Sequence, residues 1–428
     1  MTDLYIILFA ALTILLIYVV KKFEYDILEP SIIFLTTMTF SVLMSMIVSE
    51  KWAFTIEINT CILIILSMVA FILGDLFIYK SFGKKIKIDV KKNYFYINDA
   101  KLIAIFFIMI IMAAFSIKES YEMSVNLGNT SGISEMIRIN RQAIEAKTAT
   151  LSKFMNYRSM IAQVLAYSCF FVFIYNFINF KIKKYRLLIP ILLYIPFLIL
   201  NTGRMILITL IIYIFIILGI IYQKKCGYDL KSKIFTLKML IISGITFIIL
   251  FLVMGIFTGK TISEERTPLI ILAHYAGVSI PAFDYFVNQI QTETLYIGSH
   301  TLHGIYRAFN SLGINLPEVP LFLPFVRFNS IDTNVYTAEA RYIRDYGIIG
   351  TFAILWILGA FYSYLYNFLK TRENFLILMI YGYLAYPLFL SSIDERFLMD
   401  FASTTPVYMI ILFIFAKKIL IEWRKFEE

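Results

Sequence analysis

The side chains best suited to chemistry are concentrated in residues 258–347, the longest polar stretch between blocks of hydrophobic sequence. This stretch holds five of the thirteen arginines and all three histidines, His274, His300 and His303. A guanidinium group is planar and permanently charged, and it grips phosphate or carboxylate oxygens in pairs. Arginines gathered in one polar stretch therefore point to a ligand that carries phosphate or carboxylate groups.

The histidines and cysteines make a metal site a weak hypothesis. His300 and His303 are three residues apart, so on a helix both could face one way, but the sequence supplies no further ligands beside them. The three cysteines, Cys61, Cys169 and Cys226, are widely separated, which fits neither a zinc motif nor a disulfide framework. We therefore interpret these histidines as polar loop residues and predict no metal.

The rest of the sequence predicts a membrane protein, which would place this polar stretch at a membrane surface. Sixty per cent of the residues are hydrophobic and the mean hydropathy is +0.78, far above a soluble domain. Apolar runs of 14 to 23 residues recur, and a run near 20 crosses a bilayer. The runs are continuous rather than alternating, which argues against a barrel. The predicted fold is an all-α polytopic membrane protein with eleven spans, at 4–20, 27–48, 58–79, 102–117, 159–180, 187–200, 205–222, 239–257, 348–369, 375–391 and 402–416.

Lysines predict the orientation of these spans. Lysine-rich connections follow alternate spans, and positive loops stay in the cytoplasm. The N-terminus is then outside and the C-terminus inside, and topology explains the net charge of +10 better than nucleic acid does. The first run lacks a charged leader and is interpreted as an uncleaved span. The connections are Lys21–Lys22, Lys80–Lys101, Lys181–Arg186, Lys224–Lys238, Lys370–Arg372 and the tail from Lys417 to Lys425.

Arginine follows a different distribution, which topology does not explain. Cytoplasmic segments hold 21 of the 26 lysines, whereas the predicted external segments hold 10 of the 13 arginines. Such a cluster suggests a phosphate or carboxylate held at the outer leaflet, although solvated surface arginines remain the alternative for any one position. The ten are Arg138, Arg141, Arg158, Arg204, Arg266, Arg307, Arg327, Arg341, Arg344 and Arg396.

The chain accordingly divides into three parts. Residues 1–257 hold spans one to eight, residues 258–347 form a large external loop, and residues 348–428 hold spans nine to eleven with the cytoplasmic tail. Within the first part, residues 118–158 are expected to form an external amphipathic helix on the headgroups. Arg204 lies in a four-residue turn after a short span, so it is expected below the membrane surface, where a charge is costly and suggests function. Residues 268–290 predict a helix lying along or dipping into the membrane.

Several short motifs in the late external loop resemble one family. They are Tyr275 to Gly277 with Phe283 and Asp284, then Gly298 to Gly304, and finally Asn334 to Thr337 followed by Asp345 to Gly347 and Gly350. With about eleven spans and a Gly-Arg turn at 203–204, the chain resembles the O-antigen and oligosaccharide repeat-unit polymerases (Wzy type). The last motif is also distantly similar to one of the O-antigen ligases. In those ligases a histidine precedes the asparagine, where this chain has Thr333, so no catalytic histidine is carried over to that position.

The resemblance implies a GT-C-like membrane glycosyltransferase in the bacterial cytoplasmic membrane with its active site on the outer face. Such enzymes join undecaprenyl-diphosphate-linked oligosaccharides into a surface polysaccharide, O-antigen or capsule. The partners are then the lipid-linked donor and acceptor and the membrane lipids, with a chain-length regulator and a flippase as further candidates and no nucleic acid. No cofactor is expected, because arginines can stabilise the diphosphate leaving group without a metal.

Residue roles follow from these chemical demands. We expect Arg204 and Arg266, joined by Arg341 or Arg344 on a shared helix face, to hold the diphosphate. The base that takes the acceptor proton is one of Glu339, Asp345, His303 and His274, which the sequence does not rank, and Asp345 could equally position the start of the span at 348. Sugar contacts are expected from Tyr275, Asn334 and Tyr336, and the tyrosines Tyr285, Tyr306 and Tyr342 are further stacking candidates.

Two other functions remain open at this stage. A ligase that moves finished glycan to another acceptor would share most of this architecture. A flippase or transporter of lipid-linked oligosaccharide would show internal repeats and more even spans, and no convincing repeat is present. A receptor or structural role carries the least support.

Overall fold

The structure is a computed structural model that describes residues 2–82, 93–146, 148–200, 205–257, 267–289, 296–317, 322–329 and 331–425. The apolar runs form helices, as expected for segments whose backbone groups must be satisfied within lipid. The first nine helices are α1 Thr2–Lys22, α2 Pro30–Trp52, α3 Ile58–Phe82, α4 Asp99–Asn126, α5 Ile133–Glu145, α6 Lys153–Phe180, α7 Ile189–Leu200, α8 Met205–Lys225 and α9 Leu230–Phe257.

The second half of the chain contains shorter and broken helices. They are α10 Pro268–Gly277, α11 Ser279–Gln289, α12 His303–Ser311, α13 Ala338–Thr371, α14 Phe375–Leu384, α15 Tyr386–Leu390, α16 Leu398–Phe401 and α17 Thr404–Leu420. Two antiparallel strand pairs complete the described fold. In one, β1 Asn93–Tyr96 pairs with β4 Glu422–Lys425, and in the other, β2 Val326–Phe328 pairs with β3 Ile331–Thr333.

The prediction of a helical, polytopic membrane protein is confirmed. In the described ranges, nine helices are long and apolar enough to cross a bilayer. Eight of them match predicted spans, and the ninth is Pro268–Asn288, where the sequence predicted only a membrane-associated helix. The helices at 189–200, 375–390 and 404–420 match the other three predicted spans, and they are shorter than the nine membrane-length helices. The count of eleven spans, the GT-C-like architecture and the three-part division remain predictions.

The chain forms two compact units, each assembled from separate stretches. Unit 1 comprises Met1–Ile86, Glu264–Glu373 and Leu384–Tyr408, and unit 2 comprises Lys87–Ser263, Asn374–Tyr383 and Met409–Glu428.

In unit 1, α3 and α13 pack through glycines. A Cβ atom on Gly74 would overlap the carbonyl oxygen of Trp356, and one on Gly359 would overlap that of Phe71. Small residues at such a crossing let two backbones approach, which is how helices gain packing energy in lipid. The kink in α13 at Gly347, where φ is +68°, separates the short helical segment 338–346 from the long apolar one that packs on α3.

The Tyr275–Asp284 motif also has a packing role in unit 1. A Cβ atom on Gly277 would lie 2.5 Å from the backbone nitrogen of Ser45 in α2. The Asp284 carboxylate accepts a hydrogen bond at 2.8 Å from the backbone N–H of Glu57, immediately before α3. These contacts bury α10 and α11 against the helices at the start of the chain. The helical prediction for 268–290 is therefore confirmed for the part that is described, and its relation to the membrane remains a prediction.

A buried ion cluster joins the α1–α2 connection to the end of α13. The Lys370 ammonium lies 2.8 Å from the Asp26 carboxylate and 2.7 Å from that of Glu29, and Tyr366 donates a hydrogen bond at 2.8 Å to Asp26. Asp26 and Glu29 are almost fully buried. Separating these residues would leave buried charges unpaired, which costs several kcal/mol. The cluster therefore holds together two connections that are predicted to be cytoplasmic.

In unit 2, serines on one face of α4, here called the serine seam, bind residues of the segment that is predicted to be external. Ser116, Ser120 and Ser124 recur every four residues and so share one helix face. They accept hydrogen bonds from Arg158 at 2.9 Å, Asn140 at 2.9 Å and Asn129 at 3.0 Å. The predicted helix within 118–158 is present as α5, whose Met136 packs with Met155 and Leu200. Its placement on the headgroups remains a prediction.

The opposite ends of the unit 2 helices form a lysine-rich face. The strand β1 pairs with β4, and the side chain of Asn176 forms two hydrogen bonds with the backbone of Phe95. Lys184 donates a hydrogen bond at 3.1 Å to the carbonyl of Ile97. Three connections that the lysine distribution assigned to one side of the membrane are thus neighbours, as that assignment requires.

The glycine crossing yields a stability prediction. Gly359→Ala forces a methyl group into the backbone of α3, and overpacking of this kind typically costs about 1–3 kcal/mol. We expect a lower thermal midpoint of the purified protein in detergent. Gly244→Ala is the control, because a Cβ atom at this position in α9 meets nothing within 4 Å. An equal midpoint for the two variants would contradict the close approach of α3 and α13.

Candidate functional site

The described candidate residues of the late loop fall in unit 1, where three segments come together. These are the turn at 296–303, the segment 338–346 at the start of α13, and the connection 391–403 between α15 and α17. Ala338 donates a backbone hydrogen bond at 2.9 Å to the carbonyl of Ser391, which joins the second segment to the third. A Cβ atom on Gly304 would lie 2.6 Å from the carbonyl oxygen of Ala402, so the first segment also packs on the third.

Asp345 fixes the turn to α13. Its carboxylate accepts hydrogen bonds from the backbone N–H of His300 at 3.0 Å and of Thr301 at 2.8 Å. The hydroxyls of Thr301 and Ser299 donate to the same carboxylate at 2.7 and 3.3 Å. Hydrogen bonds to an ionised acceptor are about twice as strong as neutral ones. Asp345 therefore holds the 299–301 backbone in place, which is closer to the positioning role considered for it than to a base.

Arg341 connects the turn to the 391–403 connection. One Nη atom donates a hydrogen bond at 3.1 Å to the carbonyl of His300, and Nε lies 3.6 Å from the Asp394 carboxylate. Only 6% of the Arg341 side chain is exposed. Arg344 lies one turn further along α13, and both arginines are close enough to His300 to lower the pKa of its imidazole. Both arginines thus lie near His300, and their role at a diphosphate stays a prediction.

Asp394 bridges two arginines. The second oxygen of Asp394 lies 2.9 Å from Arg396. Arg396 also lies 3.7 Å from Asp400, which accepts a hydrogen bond at 2.5 Å from Tyr386. Burial alone would lower the pKa of Arg396, but the carboxylates of Asp394 and Asp400 outweigh it and hold this pKa above its usual value. Arg341 thus lies beside both Asp394 and His300, whereas Arg396 pairs with the same Asp394 and Arg344 lies near His300.

His300 is a neutral, enclosed imidazole. Its side chain is almost completely buried, and its Nδ1 has no hydrogen-bond partner among the described residues. Burial, followed by the charges of Arg344 and Arg341, lowers the pKa of His300 to about 4. Burial, followed by Arg307 and Arg341, also lowers the pKa of His303.

His300 and His303 do not share a helix face. The helix α12 begins at His303, whereas His300 lies in the turn that Asp345 binds and that Gly298 opens with φ +77°. Within the described ranges, no three His, Cys, Asp or Glu side chains form a group that could hold a metal ion.

The other base candidates have different surroundings. Glu339 is fully buried in the first turn of α13, and neither of its carboxylate oxygens has a hydrogen-bond partner within the described structure. His274 is half-buried and meets the indole of Trp52 edge-on, with 6.0 Å between the ring centroids. These positions do not by themselves identify the base.

The sugar-binding candidates divide by exposure. Tyr336 is 2% exposed and its hydroxyl donates a hydrogen bond at 2.9 Å to the carbonyl of Pro324, so its ring packs within the loop. Tyr342 is also fully buried, with its hydroxyl 2.8 Å from Glu395. Tyr275 and Asn334 are half-buried and offer some surface to a ligand. Arg204 and Arg266, the other predicted diphosphate ligands, lie outside the described residues.

Comparison with known proteins identifies one relevant relative. The chain is 24% identical over 207 residues to a protein of Shigella dysenteriae named O-antigen polymerase. The chain is therefore distantly similar to that protein. The match covers 47% of this chain and 49% of that protein, so the chain spans about half the length of the relative it matches. No family model and no solved structure matches the chain.

Three charged residues of this region were not singled out from the sequence: Asp394, Glu395 and Asp400. Arg396 was counted only among the outward arginines. The available signal was charge density, since Asp394 to Arg396 is a run of three charged residues between two apolar helices. Glu395 accepts hydrogen bonds from the backbone N–H groups of Leu398 and Met399, and burial raises its pKa to about 7. It orders the connection that carries Asp394 and Arg396.

His300 leads to a pH prediction. An unfolded histidine has a pKa near 6.5 and binds a proton as the pH falls, whereas folded His300 stays neutral down to about pH 4. The folded state of the wild type should therefore lose stability between pH 6.5 and pH 4, by at most about 3 kcal/mol from this group. Thermal midpoints measured across this range should fall less steeply in His300→Gln. Equal slopes for wild type and His300→Gln would contradict the enclosed, neutral imidazole.

Proposed function

We propose that this chain is a polysaccharide polymerase that joins lipid-linked oligosaccharide repeat units by block glycosyl transfer. The substrates are undecaprenyl-diphosphate-linked oligosaccharides, and the reaction occurs at the outer face of the bacterial cytoplasmic membrane, with the N-terminus outside and the C-terminus inside. The observation that carries the proposal is the arginine-rich site of unit 1 in a distant relative of the O-antigen polymerases.

The reaction creates a strong demand for positive charge. A hydroxyl oxygen of the acceptor sugar attacks the anomeric carbon of the donor, whose bond to the diphosphate oxygen breaks. The hydroxyl proton passes to a base, and the lipid diphosphate leaves with the bonding electrons. Fixed cations at the departing oxygens stabilise this developing charge more than they stabilise the bound donor, which lowers the barrier.

Arg341, Arg344 and Arg396 are the described residues best placed for this task. In our proposal they bind the diphosphate together with Arg204 and Arg266, without a metal ion. The Asp394 carboxylate lies between two of the guanidinium groups and reduces their mutual repulsion, so they stay close together before substrate arrives. A site organised in advance needs little rearrangement when charge develops.

We assign the base role to Glu339 in preference to the other three candidates. The Asp345 carboxylate is occupied by donors from residues 299–301, and a base must accept a proton instead. Burial and the nearby arginines lower the pKa of His303, which makes it a weaker proton acceptor than an ordinary histidine, and His274 lies beside Trp52 in the α10 region. The buried Glu339 carboxylate lacks the array of donors that occupies Asp345, and in our proposal it takes the proton once the bound acceptor hydroxyl reaches it.

The remaining parts of the proposal concern the sugars and partners. Tyr275 and Asn334 contact the sugars of donor or acceptor, and Tyr336 supports the wall of that region by packing beneath it. The product is O-antigen or capsule, and a chain-length regulator and a flippase supply control and substrate. These assignments rest on the relationship and on the exposure of the residues.

Purified protein and lipid-linked repeat units provide the direct test. We expect chain extension without nucleotide sugar and without loss of rate when EDTA is added. Transfer of glycan only to a different acceptor would indicate a ligase, and movement of lipid-linked sugar across vesicles without extension would indicate a flippase. Either result would overturn the proposed polymerase.

The arginine site is tested by Arg341→Ala and Asp394→Asn in the same reaction. Loss of one fixed donor for the developing charge typically lowers kcat by roughly 100- to 1000-fold, and Arg341→Lys should fail as well, because lysine cannot bind two oxygens in parallel. In cells, single repeat units should accumulate on the lipid carrier.

A matched surface pair serves as the control for these variants. Arg327 and Asp332 lie 3.7 Å apart, against 3.6 Å for Arg341 and Asp394, but both surface side chains are mostly exposed. Arg327→Ala and Asp332→Asn should keep wild-type chain length. Normal polymer from well-folded Arg341→Ala would remove Arg341 from the site.

A further inference from the structure

Unit 2 contains a cavity of about 390 Å³ on its lysine-rich face. Its walls come from β1, the end of α6, the 182–187 connection and β4, and they include Tyr94, Tyr96, Asn176, Lys184, Leu187 and Lys425. None of these residues belongs to the unit 1 site. The cavity is therefore a separate feature that the proposed polymerisation does not use.

The cavity lies where apolar helices end. The helix α6 ends at Phe180, α4 begins at Asp99 and α7 begins at Ile189, and each is near a wall residue. The apolar side chains of Ile97, Ile182 and Leu187 contribute to the lining. A ligand here would meet apolar chains and a polar, charged rim at the same time.

The surroundings carry a strong excess of positive charge. The three segments 93–99, 181–187 and 422–425 contain six basic residues and two acidic ones, a net charge of +4. The basic residues are Lys181, Lys183, Lys184, Arg186, Arg424 and Lys425. The acidic residues are Asp99 and Glu422.

The cationic groups are held in place around the aromatic strand. The Lys184 ammonium lies 2.5 Å from Asp99 and 4.9 Å from the ring centre of Tyr96, whereas the Arg424 guanidinium lies 3.4 Å from that centre. These contacts fix Lys184 at the wall. Lys425 is exposed at the rim, opposite Asn93 in the β1–β4 pair. Topology explains why lysines lie on this side, but it does not explain why they surround a cavity with aromatic and apolar walls.

We propose that this cavity binds the phosphate-bearing headgroup of an anionic glycerophospholipid, with Lys184 and Lys425 at the phosphate and the first acyl carbons along Leu187. Basic pockets between membrane helices are suited to such headgroups, and each lysine near the surface contributes through its charge. Free phosphate shares the anionic group but would make no use of the apolar wall.

The test uses the purified full chain in a neutral detergent. Phosphatidylglycerol, phosphatidylcholine or sodium phosphate is added, and bound lipid is counted by native mass spectrometry alongside the thermal midpoint. We expect a retained phosphatidylglycerol molecule and a raised midpoint, with a much smaller effect of phosphatidylcholine and of phosphate. Equal effects of phosphate and phosphatidylglycerol would overturn the lipid assignment, and equal retention of the two lipids would overturn the requirement for an anion.

Variants distinguish lipid binding in the cavity from attraction by the general positive charge of this face. Lys184→Gln with Lys425→Gln should weaken phosphatidylglycerol binding by roughly 30-fold, if each lysine contributes as a surface lysine does. The control is Lys231→Gln with Lys233→Gln, which removes the same charge at the start of α9. Because Lys184 also pairs with Asp99, Lys425→Gln alone is measured as a milder change and should still weaken binding. Equal losses for the cavity pair and the control pair would overturn the proposal.

Discussion

The carboxylate of Asp345 joins two parts of unit 1 that are more than forty residues apart in sequence, and the geometry of the candidate site depends on it. By binding the backbone of His300 and Thr301, it places the His300 carbonyl beside Arg341, one turn earlier on the same helix. Arg341 then reaches Asp394, which in turn reaches Arg396. One saturated carboxylate thus sets the positions of a turn, a helix and a connection, and the arginines follow from that arrangement.

The same use of polar contacts recurs across both units. Helices surrounded by lipid gain little from apolar contact with each other, since lipid tails are equally apolar. Specific pairing must come from close backbone packing or from polar partners. Unit 1 uses glycines at the α3–α13 crossing and the Lys370 cluster, and unit 2 uses the serine seam of α4. Each of these contacts joins segments that apolar packing alone would leave free to slide.

Sequence patterns predicted the elements well, because an apolar run of membrane length has few alternatives to a helix. The proximity of Arg341 to Arg344 was also predictable, since three residues along a helix is a local relation. The partnership of Arg341 with Asp394 was not, because it depends on how the 391–403 connection folds back on α13. The separate surroundings of His300 and His303 were not predictable for a similar reason, because a positive φ at Gly298 and a distant carboxylate determine the turn that holds His300.

Tyr336 shows a second limit of sequence patterns. An aromatic residue in a polar loop fits sugar stacking and loop packing equally well, and only the buried ring and the bond to Pro324 distinguish them. The residue type shows that Tyr336 could stack on a sugar, but its tertiary contacts show that the ring is already packed against protein.

The pairing of β1 with β4 has a consequence for the order of assembly. Lys101 and Glu422, which pair beside this ribbon, are separated by 321 residues. During synthesis the helices α4 to α9 enter the membrane long before β4 leaves the ribosome. The β1–β4 pair on the lysine-rich face of unit 2 can therefore form only after most of the chain has been synthesised.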